Sequence, residues 1–131
     1  MVKDMRKEIY NNLIQNEVIN EYVPTDNIRF HKWTNEERVS YPFILIVPLH
    51  SPVSGQHGSD TELSKTMTYD IHAQGDCYKT VKTIMNAIHQ EMKSLGFGQL
   101  NGGLDDFLEE TKKFVDVRRY RIFTDLYNVN Y

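Results

Sequence analysis

Between Thr68 and Ile88 the spacing of apolar residues changes period. Through "TYDIHA" they alternate, as a half-buried strand requires. From Tyr78 onward Val81, Ile84, Met85, Ile88, Met92 and Leu95 recur as one wide helical stripe. A chain holding both periods side by side has to lay a helix on a sheet, and its other segments extend that plan. Met67, Tyr69, Ile71 and Ala73 share one face of the strand, with Thr66, Thr68, Asp70 and His72 on the other. "YPFILIVPL" is nearly all apolar between Pro42 and Pro48, which reads as a strand buried on both faces with proline at its ends. "FVDVRRYRIFTDLYNV" alternates again as a long final strand, and "IRFHKW" as a short early one.

The remaining segments fill in around these. Met5, Ile9, Leu13 and Ile14 make one face of an opening helix. "VINEYVPTDN" carries Pro24, Asp26 and Asn27 and reads as a loop. Gly96 stands where a left-handed cap ends the second helix. "FGQLNGG" reads as a short strand or turn, and "LDDFLEETKK" fits either a helical turn or a loop. The polar stretch "LHSPVSGQHGSDTELS" separates two strands as a long hairpin tip. With Val53 its main apolar anchor, residues 52–62 are expected to be mobile in the free protein and ordered in an assembly. The sum is one α+β domain over residues 1–131, an antiparallel sheet with two helices on one face and a long hairpin.

Composition narrows the function. With 131 residues, 40% hydrophobic and 25% charged, the chain has the makeup of a soluble globular protein. A net charge of −3 gives no general attraction to nucleic acid or anionic lipid. No apolar run approaches the roughly 20 residues of a membrane span, and the charged start "MVKDMRKEIYNNLIQ" is no secretory signal. A single cysteine rules out an intrachain disulfide and a cysteine-rich metal site.

The turn Gln74-Gly75-Asp76-Cys77, where strand meets helix, is the first place to look for chemistry. It lacks the second glycine and the Gly-Lys-Ser/Thr of a phosphate loop. Asp76 sits where an N-cap belongs, and Cys77 reads as a small, semi-buried first-turn residue rather than a nucleophile. The five histidines show no metal-binding spacing. Asp105, Asp106, Glu109 and Glu110 lack the glycine-turned spacing of a calcium loop and read as a solvated segment. Arg118, Arg119 and Arg121 form the one basic cluster, with Arg119 and Arg121 on one face and Arg118 on the other. Their expected partners are carboxylates of a neighbouring strand or subunit. No catalytic residue, metal site or cofactor emerges.

In layout the chain resembles the small tail-completion, or tail-terminator, proteins of long-tailed siphophages. The resemblance runs through the proline-entered strand Tyr41-Pro42-Phe43-Ile44-Leu45-Ile46, the polar hairpin, and the strand Met67-Thr68-Tyr69-Asp70-Ile71-His72-Ala73. It continues through the helix from Tyr78 to Leu95 and the Arg- and aromatic-rich strand Val117-Arg118-Arg119-Tyr120-Arg121-Ile122-Phe123. The chain departs from the pattern at His72, where tryptophan is common, and at Cys77-Tyr78, where the helix usually starts alanine-rich.

That resemblance implies a non-enzymatic structural protein of the phage virion, assembled in the host cytoplasm. It implies a homo-oligomeric ring, usually a hexamer, that caps the tail tube, stops its polymerisation and offers a docking surface at the head-tail joint. Partners would be the major tail protein and a head-completion or connector protein, with DNA passing the lumen unbound and no membrane contact. The candidate subunit or partner interface comprises Gly55, Gln56, His57, Gly58, Asp60 and Glu62 of the hairpin, with Arg118, Arg119 and Arg121. At least one arginine is expected to reach across a subunit boundary to Asp60, Glu62, Asp105, Asp106, Glu109 or Glu110. The alternatives are a head-completion or connector protein of the same virion, or a small cytosolic binding domain or enzyme using the hairpin as a lid.

Overall fold

The computed structural model describes residues 5–30, 40–49, 53–54 and 64–125. In chain order the elements are α1 (Met5–Gln15), α2 (Glu17–Tyr22), a 3-10 turn (Thr25–Asn27), β1 (Ile28–Phe30), β2 (Phe43–Pro48), β3 (Val53–Ser54), β4 (Ser64–Gly75), α3 (Tyr78–Ser94), β5 (Gly98–Leu108) and β6 (Lys113–Asp125). They make an α+β fold whose six-stranded sheet runs β1-β2-β4-β6-β5, with β3 paired to the outer part of β4. All strand pairs are antiparallel except β1 with β2, which departs from the all-antiparallel expectation. No helix among the described residues is long and apolar enough to cross a membrane.

Alternation builds the sheet as expected. Met67, Tyr69, Ile71 and Ala73 of β4 are buried in the main core beneath Val81, Ile84, Met85, Ile88 and Met92 of α3. Ile44 and Ile46 of β2 join them, and Tyr120 and Ile122 arrive from β6. Each such aliphatic side chain withdrawn from water contributes about 1.5–3 kcal/mol before conformational entropy is counted. Phe43, Leu45, Val115 and Val117 are also buried but stand outside that cluster. Register puts Leu45 and Val117 on either side of His72, on the face turned away from Ile71 and Ala73. The sheet is therefore apolar on both faces at its centre, as the continuous run of β2 requires.

The helical layer holds one helix more than the sequence suggests. Residues 17–22, assigned partly to a loop, form α2 because Asn16 caps it: its Oδ1 accepts from the Ile19 amide at 3.0 Å. The same side chain donates through Nδ2 to Glu91 Oε2 at 2.8 Å, tying α2 to α3. Only Ile19 of α2 is fully buried, a single anchor with no helical repeat to reveal it. Asn27, itself buried, donates to Pro42 O at 3.1 Å and Ser40 Oγ at 3.2 Å, fixing where the chain enters β2. Gly96 does end α3: at φ 98° it is left-handed, its amide donates to Lys93 O, and that of Phe97 donates to Met92 O.

The segment "LDDFLEETKK" is neither helix nor simple loop. It completes β5, turns over residues 109–112 and enters β6, with Lys112 at φ 60° and its amide donating to Leu108 O at 2.8 Å. A hairpin of this length places a left-handed residue at that position. Val53 and Ser54 pair with Thr66 and Lys65, so the proposed hairpin tip is partly strand. Its remaining interface candidates, Gly55, Gln56, His57, Gly58, Asp60 and Glu62, lie outside the described residues.

Register along β5 shifts between Leu100 and Leu104, and Gly103 makes the shift possible. It sits at φ 99°, and a Cβ there would lie 2.1 Å from the Val117 carbonyl oxygen. Gly98, at the start of the same strand, has open space around it. In urea denaturation, Gly103→Ala should therefore cost more than about 1 kcal/mol, while Gly98→Ala stays close to wild type. Equal effects would show that the backbone relaxes around Gly103.

Candidate functional site

Among the described residues, a run of connected polar groups lies where α3 crosses β5 and β6. Alternation along β6 turns Phe114, Asp116, Arg118, Tyr120 and Ile122 toward the helices. Two charged residues thus stand in an otherwise apolar row. The Asp116 side chain is 3% exposed, and Lys82 Nζ donates to its Oδ2 at 2.8 Å. Arg118 adds two longer contacts, 3.4 Å from Nε to Oδ1 and 3.5 Å from Nη2 to Oδ2. Lys82 also binds Asp105 of β5, so one ammonium joins helix and two strands. Burial of Lys82 works against its charge, but the hydrogen bonds it donates to Asp105 and Asp116 outweigh it and raise its pKa. Next in the row, Tyr120 Oη lies 3.1 Å from His89 Nδ1 of α3, and burial pushes the phenol's pKa up.

Lys82, Asp105, Asp116 and Arg118 line an open, polar depression with Gln99, Gly103, Leu104 and Val117. Two cations face two carboxylates in it, so it neutralises itself and favours neither anion nor cation. Its chemistry is structural: it pins β5 and β6 to α3. Among the described residues no group of three or more His, Cys, Asp or Glu is gathered as a metal site.

On the other sheet face Arg119 pairs with Asp70 directly across the β4–β6 ladder, Nε to Oδ1 at 2.9 Å and Nη2 to Oδ2 at 3.3 Å. Such a two-point pair fixes position as well as charge, and it raises the arginine's pKa, first through the hydrogen bond to Asp70. His72, one step along, has its pKa lowered by burial, which the Asp70 charge partly opposes. Arg121 is exposed on the same face as Arg119. The expected two-sided split of the cluster is therefore present, and both Arg118 and Arg119 meet a carboxylate within the chain.

The strand-to-helix turn differs from expectation. Cys77, not Asp76, is the N-cap of α3, and it makes no side-chain capping bond. Asp76 stands one residue earlier and pairs with Lys113 Nζ at 2.6 Å, drawing the turn toward the start of β6 rather than toward the helix amides. Cys77 is exposed rather than semi-buried. Its thiolate is favoured first by the Thr80 amide, then by the Thr80 hydroxyl and the Lys79 amide, and its pKa falls. Gly75 fits the joint because a Cβ there would press on Pro42 Cβ at 3.2 Å and Val81 Cγ2 at 3.3 Å.

Lys82, Asp70 and Asp116 escaped the reading of the sequence alone. For Asp116 a signal existed: a carboxylate at a core-facing position in an alternating strand calls for a cationic partner. Lys82→Met should destabilise the fold by about 1–3 kcal/mol, because it strips a nearly buried carboxylate of its closest donor. Asp105→Asn, at a side chain 56% exposed, should cost no more than about 1 kcal/mol. Equal losses in chemical denaturation would contradict the assignment of Asp116 as the buried member. His72 adds a pH dependence. Its folded pKa lies below the unfolded value of 6.5, so the unfolded chain takes up a proton first and stability falls as pH drops below that value. His72→Gln should flatten this part of the stability curve; an unchanged slope between pH 7 and 5 would exclude His72 as its source.

No family model matches the chain, and no curated protein is similar to it in sequence. Among solved structures it is similar to a chain of one described as "Virion of native gene transfer agent (GTA) particle". That likeness has a TM-score of 0.66 at 10% identity and covers 89% of this chain and 91% of that one. At this identity it shows a shared fold.

Proposed function

We propose that this protein is a structural component of a phage-like virion, and within it the tail terminator. The observation that carries the first step is the fold likeness to a chain of a gene transfer agent virion over nearly the full length of both. What the described residues bring together agrees with a scaffold: the buried charges pair with one another, and the depression they line is neutral. The second step rests on the resemblance of the strand, hairpin and helix motifs to tail-terminator proteins. In this reading, copies of the chain close into a ring on the last tube ring, block further addition of tube subunits and receive the head connector. Identical head-to-tail contacts give such closure, and a ring stable only on the tube would leave the free protein monomeric.

The interface in this reading includes the hairpin residues 55–62 and the exposed side of Arg121. Arg119 makes a poor probe of it, since its guanidinium holds Asp70. Added to polymerising tail tubes, the purified protein should shorten them and appear as a cap at one end in electron micrographs. Arg121→Glu should remain folded and leave tubes overlong, because an interface charge sets register and salt sensitivity. Tubes that grow unaltered in the presence of wild-type protein would refute the terminator role. A ring bound to the head vertex instead of the tube would assign the chain to head completion.

A further inference from the structure

Six side chains make two rows on the sheet face turned away from α3. Phe43, Gln74 and Val115 align across β2, β4 and β6, and Leu45, His72 and Val117 align beside them. Phe43, Leu45, Val115 and Val117 are 3–9% exposed, yet α1, α2 and α3 all pack on the opposite face. Burial also lowers the pKa of His72, in the middle of the second row. Toward β5 the same face opens: Leu104 leaves 47% of its surface in water, and Arg121 is exposed. Tyr41 rests on Phe43 with ring centroids 5.3 Å apart, which covers one corner. A single chain buries these residues, so the rest of their cover belongs to the same chain.

Topology says which part of the chain it is. β4 and β5 are parallel and joined by α3, while β1 and β2 are parallel and joined by residues 31–42. Both connections step the same way along the order β1-β2-β4-β6-β5, but β1 and β2 run opposite to β4 and β5. Connections between parallel strands of one sheet share a single, right-handed sense. With the step unchanged and the strand direction reversed, that sense puts the two connections on opposite faces. The link from β1 to β2 therefore crosses the face away from α3.

Reach agrees. Phe30 lies opposite Ile46, so the gap back to Phe43 is roughly 10–15 Å, whereas a stretch as long as residues 31–42 spans up to about 40 Å. The surplus carries the chain out to β6, two strand spacings of about 5 Å away, and back. The other segments outside the described residues fall short. Residues 126–131 start from Asp125, about 26 Å of strand beyond Val117, and extend about 21 Å at most. Residues 55–63 leave from Ser54, opposite Lys65, and return to Ser64; a round trip to His72 needs about 50 Å from about 35 Å of chain. Residues 50–52 are shorter still, and residues 1–4 lead into α1 on the other side.

Within "HKWTNEERV", residues 31–39, Trp33 is the one large apolar side chain. We infer that residues 31–39 cross the sheet face opposite α3 and seat Trp33 over Leu45, His72 and Val117. This part of the sheet is then closed within the chain, and Arg121, Leu104 and Asp106 are what the face offers to a partner.

Trp33 is the chain's single tryptophan, so its fluorescence reports on this placement. In dilute wild-type protein the emission should be blue-shifted from that of the urea-unfolded chain and several-fold less quenched by acrylamide. Both readings should be independent of protein concentration. Val117→Ala, which removes methyl groups beneath the ring, should shift the emission to the red and raise the quenching. Leu45→Val serves the same end from the neighbouring strand with a smaller change. Ile88→Ala, an aliphatic loss under α3, should alter neither reading while circular dichroism shows the fold retained. Emission like that of the unfolded chain, or no response to either Val117→Ala or Leu45→Val, would overturn the inference. A blue shift that vanishes on dilution would do so too, by giving the cover to a second copy. None of these readings involves tail tubes, so the inference stands or falls apart from the terminator role.

Discussion

The described strands are located by the ladder between β4 and β6. All twelve residues of β4 are registered against β6, and the other edge of β4 carries β2 and β3. A slip of one residue would turn Tyr69, Ile71 and Ala73 away from α3 and drive Thr68, Asp70 and His72 into the core. The register is held by apolar packing on one face and by the Asp70–Arg119 fork on the other. Neither face alone specifies it as sharply, since the apolar row tolerates local repacking while the fork accepts one alignment.

Asp116 shows how the same ladder carries a polar load without losing cohesion. A carboxylate beneath a helix is costly unless its lone pairs are taken up, and Lys82 and Arg118 do so from two elements. The arrangement draws α3, β5 and β6 together where apolar packing gives way to the open depression beside Gly103. It gives the edge of the sheet a defined shape in a region with few large apolar side chains.

The sequence was legible where one periodicity ran unbroken. The stripe of α3, the alternation of β4 and β6 and the two-faced burial of β2 follow from it, and the Gly96 cap follows from the demand for a positive φ. Legibility failed where structure depends on distant partners. The α2 helix relies on Asn16 and on one anchor, Ile19, and β5 forms because β6 is there to receive it. Local propensity favours Asp76 as a cap, but Lys113, across the sheet end, takes its carboxylate. The fork of Arg119 with Asp70, separated by 49 positions, becomes visible only once register is known.

That separation also bears on how the chain reaches its structure. β5 and β6 are joined through residues 109–112, so their pairing closes a short loop, and α3 lies immediately before them. β4 has to find β6 across the whole of α3 and β5, at a far larger entropic cost of closure. In a fold dominated by such non-local pairing, speed is limited by topology rather than by local propensity. The turn at Lys112 and the end of α3 at Gly96 let the last third of the chain organise locally into a surface onto which β4 can dock. A newly made chain would then spend its slowest interval with the inner edge of β6 unpaired, the stage at which it is most exposed to association with other unfinished chains.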